Sequence, residues 1–168
     1  MVTHSSALDS IDRRITAWLG RHGVMLSRVS LGIIFLWFGA LKFVPGSSPA
    51  AELASRTIEK VTFGLVPPGP GLLILAGWES LIGLGLLSGR FLRITLLLLA
   101  VQMIGTLLPL ALFPRETFDL FPIAPNLEGQ YIIKNLVLLS AATVVGGTLR
   151  GRGLPPEGAV AKANDRTG

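Results

Sequence analysis

The chain has 168 residues, half of them hydrophobic, with a mean hydropathy of +0.62 and 15% charged residues where soluble domains carry about 25%. That composition belongs to a membrane protein of one domain, and the net charge of +5 does not point to nucleic acid: the basic residues end apolar runs and form no patch interleaved with aromatics. With no cysteine, and with His4 and His22 both ahead of the first apolar run, the sequence offers no disulfide framework, thiolate metal site or intramembrane imidazole for haem or metal.

Residues 1–23 are too polar to span a bilayer, yet Leu8, Ile11, Ile15 and Trp18 recur at helical spacing against Asp12, Arg13, Arg14 and Arg21. This reads as an amphipathic helix on the membrane surface or as a frayed polar leader. No A-x-A cleavage pattern follows the first apolar run, so that run is expected to stay as an anchor.

The first span is predicted over 24–44, long enough at 1.5 Å per residue to cross roughly 30 Å of hydrocarbon. Arg28, Gly32, Phe35, Gly39 and Lys42 fall on one stripe with a charge near each end. Each charge either snorkels to a headgroup or turns inward. Residues 45–70 read as a loop, interrupted by a short interfacial helix starting at Ser48-Pro49, with Ala50, Leu53, Thr57, Ile58 and Val61 on one side and Glu52, Arg56, Glu59 and Lys60 turned to water.

The second span, 72–88, holds one carboxylate, Glu79, beside Trp78. A lone acid in a bilayer core costs at least about 3 kcal/mol, so it faces a bundle interior and a partner. Spacing by three and four puts Ala76, Glu79, Ser80 and Gly83 on a narrow side that another helix can approach, and Leu73, Leu81 and Leu84 on the lipid side. The third span, 92–113, follows a very short turn and so forms an antiparallel hairpin with the second. Gln102 lies near its middle, and Pro109 frees the carbonyl of Gly105.

Residues 114–130 form a second loop, whose Phe118 and Phe121 either fold back as a lid or rest at the interface. The fourth span, 131–148, carries Lys134-Asn135 one turn in and the small pair Ala142 and Gly146. From Arg150 onward the chain is polar and glycine-rich, and is expected to be disordered. The predicted fold is all-α: four transmembrane helices in an antiparallel bundle over 24–149, interfacial helices at the N-terminus and in the first loop, and a tail over 150–168.

Ten lysines and arginines lie on one side of this arrangement, in the N-terminal segment through Arg28, the turn with Arg90 and Arg93, and the tail with Arg150, Arg152, Lys162 and Arg166. The other side carries five, Lys42, Arg56, Lys60, Arg115 and Lys134. The positive-inside rule then predicts a cell-membrane protein with both termini cytoplasmic and both long loops outside. Glu79 would lie about seven residues, or roughly 10 Å, below the outer border. Lys42 and Lys134, within a turn of the outer ends, can hang down toward it, and Gln102 and Asn135 can complete a polar pocket drawn from all four helices. The alternative is a structural ion pair that fixes helix register.

The run Ser27-Arg28, then Phe35 to Pro45 with Phe38-Gly39 and Lys42-Phe43, resembles the first helix of the DoxX-like membrane proteins and the related YkgB group. Trp78-Glu79 and the stretch Glu128-Gly129-Gln130-Tyr131-Ile132-Ile133-Lys134-Asn135 resemble the same superfamily. The resemblance implies a four-helix membrane protein in a family with members linked to sulfur oxidation, as a small subunit of a thiosulfate:quinone oxidoreductase, and to oxidative or chlorine stress. It cannot supply the catalytic cysteines that the sequence lacks, so the thiol-exchange mechanism of quinone-linked four-helix oxidoreductases is ruled out for the chain acting alone, and it is not expected to catalyse by itself.

Two functions follow. The first is a small subunit or accessory of a membrane redox system, with a quinone as candidate cofactor at the Glu79 pocket and a soluble or membrane redox enzyme as partner. The second is a non-redox scaffold or small-solute transport protein. The lipid bilayer is a partner in both, and a second copy of the chain is a candidate partner.

Overall fold

The computed structural model describes residues 3–48 and 50–149. In chain order these form α1 (Thr3–Leu41), α2 (Ala51–Val61), α3 (Pro68–Ser88), α4 (Leu92–Leu112), α5 (Pro114–Thr117), a hairpin of β1 (Phe118–Leu120) and β2 (Ala124–Pro125), α6 (Leu127–Ile133) and α7 (Asn135–Gly147). Four stretches are long and apolar enough to cross a membrane: Leu8–Leu41 in α1, Pro68–Ser88, Leu92–Leu112, and Leu127–Gly147 across α6 and α7. The protein is an all-α polytopic membrane protein. The tail from Arg150 and the expected helix start at Pro49 lie outside the described residues.

The predicted boundaries shift for local reasons. The N-terminal amphipathic segment and the first span are one unbroken helix, and Leu8, Ile11, Ile15 and Trp18 remain exposed along it. α3 starts at Pro68 rather than near Leu72, because a proline in the first turn has no lost hydrogen bond to replace. The fourth span starts at Leu127 rather than Tyr131, since Asn126 caps α6: its side-chain oxygen accepts from Gly129 N at 3.0 Å. That cap also donates to the Glu116 carbonyl at 2.8 Å, tying α6 to the segment before the hairpin.

The core occupies the half of the bundle nearer the α3–α4 turn. Leu31 and Phe35 of α1, Ile82 and Leu86 of α3, Leu99 and Met103 of α4 and Ala142 of α7 pack there with almost no exposed surface. The α1–α3 seam is the most extensive, and glycines make it close. A Cβ on Gly32 would meet the Leu87 side chain, one on Gly39 the Ser80 backbone, and one on Gly83 the backbone of Leu36. Away from the seam, Leu73, Leu81 and Leu84 are exposed for lipid, as the helical spacing of α3 predicts.

At the turn end α3 stops at Gly89, with φ of 69°, a conformation glycine adopts freely. Arg28 fills the space a side chain would need there. Its Nη1 donates to the Leu86 carbonyl at 2.9 Å, one of the carbonyls a helix end leaves without a partner. Arg28 is thus turned inward as a cap on a neighbouring helix. Replacing it with Gln should lower stability by about 1–3 kcal/mol, the range for losing a hydrogen bond from a charged group. An unchanged melting temperature in detergent would show that the carbonyl finds another donor.

At the loop end α2 lies across the ends of α3 and α4. Ile58 packs on Gly71, and Lys60 Nζ donates to the Leu112 carbonyl at 3.2 Å near the end of α4. Arg56 makes a two-pronged ion pair with Glu116, at 2.6 and 2.7 Å, and also covers the Phe113 ring. With side chains 43% and 41% exposed, such a pair is screened by solvent and adds little to stability. Apolar and backbone contacts therefore hold the loop end closed more than this bridge does.

Candidate functional site

Glu79 sits near the midpoint of α3, deeper than predicted because the helix begins four residues earlier than expected. Its neighbours are set by the α1–α3 seam. Gly39 presses directly on α3 at the Ser80 backbone and the Glu79 Cβ, so α1 ends beside the carboxylate instead of a side chain's width away. Lys42, the first residue past the α1 helix, then reaches it.

Lys42 Nζ lies 2.6 Å from Glu79 Oε2, and the two side chains are only 7% and 12% exposed. The same ammonium donates to the Phe38 carbonyl at 3.3 Å, so it also neutralises the negative end of α1. The other carboxylate oxygen, Oε1, accepts from Gln102 Nε2 at 3.1 Å. Gln102 is near the middle of α4, and its backbone carbonyl accepts from Thr106 Oγ1 at 2.9 Å. Trp78, beside the acid in sequence, points to α4 and donates from Nε1 to the Leu98 carbonyl at 3.3 Å. The cluster thus ties three spans together at one depth.

Of the five residues predicted to form the pocket, the structure brings together Lys42, Glu79 and Gln102. Lys134 and Asn135 are elsewhere. Lys134 is exposed, with Nζ 5.0 Å from the centre of the Tyr131 ring, and Asn135 Nδ2 donates to the Tyr131 carbonyl at 3.3 Å. The reason lies in how α6 is held. A Cβ on Gly129 would run into the Thr117 backbone, so α6 docks tightly against the hairpin segment, and a tightened turn at Lys134 (Val137 N to Lys134 O, 3.0 Å) separates it from α7. This docking sets the rotation of the fourth span and turns Lys134 outward.

The other motif residues lie outside the cluster. Arg28 caps α3; Phe38 and Phe43 are exposed beside Lys42; Gln130 Nε2 donates to the Pro125 carbonyl at 3.2 Å. Two residues outside the predicted pocket decide its membership: Gly83, which admits α1 to the seam, and Asn126, which caps the α6 that carries Lys134 away from it. Gly83 was legible as part of a small-residue face, and Asn126 as an asparagine ahead of an acidic first turn.

Chemically the cluster offers one carboxylate, one ammonium and one amide in a setting walled from water, able to hold a proton or to bind a group that both donates and accepts hydrogen bonds. Among the described residues no group of three or more histidine, cysteine, aspartate and glutamate side chains is placed to hold a metal ion.

No curated protein and no solved structure matches the chain. The DoxX family model does match, over residues 23–111. That range runs from just before Arg28 through the whole of α3 to the end of α4, and it contains Gly39, Lys42, Glu79, Gly83 and Gln102. Since it takes in more than half the sequence together with every residue of the buried cluster, the chain belongs to the DoxX family.

Proposed function

We propose that the chain is a small accessory subunit of a quinone-linked membrane redox system, with Lys42, Glu79 and Gln102 as the site that receives a quinone headgroup and exchanges a proton with it. The observation that carries this reading is the intramembrane carboxylate held between two donors from different spans. The donor set fits the ligand: ammonium and amide donate to carbonyl oxygens, and the carboxylate accepts from hydroxyls. A bound quinone supplies a two-electron, two-proton couple.

The chain's own residues bind and move the proton. Lys42 lies where α1 gives way to a non-helical stretch, so its ammonium can leave Glu79 and let a headgroup in. An apolar groove of about 220 Å³, lined by Ile33, Ile34, Trp37 and Phe38, runs along the same helix and suits part of an isoprenoid tail. With no cysteine in the chain, the electrons come from a partner protein.

The test uses the full chain in nanodiscs with ubiquinone added. Bound quinone that survives washing in wild type, and is lost in Glu79→Gln at a temperature where that variant is still folded, supports the reading. Equal quinone retention by wild type and Glu79→Gln would sink it.

A second reading, a non-redox scaffold or small-solute transport protein, has one specific observation in its favour. Among the described residues no buried side-chain nitrogen or oxygen lacks a partner, so the cluster is complete without a ligand. Solute flux through liposomes containing the chain alone would select the transport form.

The charge count supports a cell-membrane protein with both termini in the cytoplasm. The natural absence of cysteine makes the check free of background. A single cysteine introduced at Asp119 should react with an impermeant maleimide added outside intact cells, and one at Arg90 should not. The reverse pattern inverts the topology.

A further inference from the structure

We propose that the crevice at the turn end of the bundle, between the α3–α4 turn and the end of α7, binds the anionic headgroup of a phospholipid. It has a volume of about 410 Å³ and is lined by Gly89, Phe91, Leu92, Arg93, Ile94 and Leu149. One charge among apolar walls is the pattern that an amphiphile fits and a free ion does not.

Position supports a lipid. Gly89 ends one membrane-spanning helix and Leu92 starts the next, so the crevice mouth lies where spans leave the hydrocarbon, at headgroup level. Phe91 holds a positive φ of 54°, uncommon for a non-glycine residue, and its side chain is 79% exposed at that level. Such exposure of an aromatic ring suits an interface between water and acyl chains. Ile94, one turn into α4, is exposed and continues the apolar wall in the direction an acyl chain would take.

Charge supports an anionic headgroup. The Arg28 guanidinium is committed to the Leu86 carbonyl, whereas those of Arg93 and Arg90 make no hydrogen bond or ion pair among the described residues. A guanidinium presents paired donors that match two phosphate oxygens.

The experiment is native mass spectrometry of the full chain released from micelles containing equal phosphatidylglycerol and phosphatidylcholine. Wild type should retain phosphatidylglycerol preferentially, and Arg93→Gln should reduce that preference about fivefold, the factor expected for one basic residue at an anionic surface. Leu149→Trp, which fills the crevice and leaves the charge alone, should reduce it as well. Arg13→Gln, on a distant part of α1, should not. Unchanged preference in both crevice variants overturns the proposal. So does inorganic phosphate that raises the melting temperature as much as phosphatidylglycerol does, since the site would then read phosphate without the lipid.

Discussion

Glu79→Gln and Lys42→Met should each lower the stability of the bundle by about 3–5 kcal/mol, and the double variant should lose clearly less than the two combined. The singles are severe because each leaves a polar group where the other was. In Lys42→Met the carboxylate keeps only the Gln102 amide, and in Glu79→Gln the ammonium keeps only a neutral amide oxygen and the Phe38 carbonyl. The double variant removes both charges, and with them the desolvation that the pair has to overcome. Gln102→Leu removes one neutral donor from an acid that retains its lysine, so its effect should be smaller, about 1–2 kcal/mol. Lys134→Met supplies the control: with its ammonium over the Tyr131 ring, its cycle with Glu79→Gln should be additive. Melting temperatures in detergent read all of these. A coupling below about 0.5 kcal/mol between Lys42 and Glu79 would mean that the pair does not hold the bundle.

The difference between Lys42 and Lys134 marks what can be read from one dimension. Depth is legible, since residue count along a helix gives height in the bilayer, and by that measure both lysines were equally good partners for Glu79. Rotation is legible only where a face has a distinctive pattern. In α3 it does, because small residues and leucines separate cleanly, and the seam lies where Ala76, Gly83 and Ser80 indicate. In the fourth span apolar residues surround the helix almost evenly, and its rotation is fixed by Gly129 against Thr117 and by the Asn126 cap, contacts that depend on how the hairpin folds. Arg28 failed to be legible for another reason. A charge near the end of a span has the same sequence signature whether it snorkels to lipid or caps a neighbouring helix, and only the nearby end of α3 decides between them. The strands of three and two residues were too short to carry an alternating pattern.

Gly83→Ala should destabilise the protein more than any other glycine-to-alanine substitution along the α1–α3 seam. A Cβ at Gly83 would lie 2.5 Å from Leu36 N and 2.7 Å from Leu36 Cα, and backbone atoms in the middle of a helix cannot rotate aside. The helices must separate, which opens the core at Phe35 and Ile82, next to the seam. Overpacking of this kind costs about 1–3 kcal/mol where side chains can adjust, and a backbone clash belongs at or above the top of that range. Gly32→Ala is the graded comparison. Its Cβ would meet Leu87 Cγ at 2.8 Å, where the leucine has other rotamers to adopt, and backbone only at 3.1 Å from Leu87 N, farther than at Gly83. Gly105→Ala is the opposite case. Nothing lies within 4 Å of a Cβ there, so the gain in helix propensity, about 1 kcal/mol, should leave the protein unchanged or more stable. The expected order of melting temperatures is therefore Gly105→Ala at or above wild type, then Gly32→Ala, then Gly83→Ala. Separation at Gly83 also draws the end of α1 away from Glu79, so a contact of 2.6 Å between Lys42 and the carboxylate should lengthen. A Glu79→Gln change should then do less further harm in the Gly83→Ala background than in wild type. If Gly83→Ala melts with wild type, or if the Glu79→Gln effect is the same in both backgrounds, the close seam is not what holds the buried pair together.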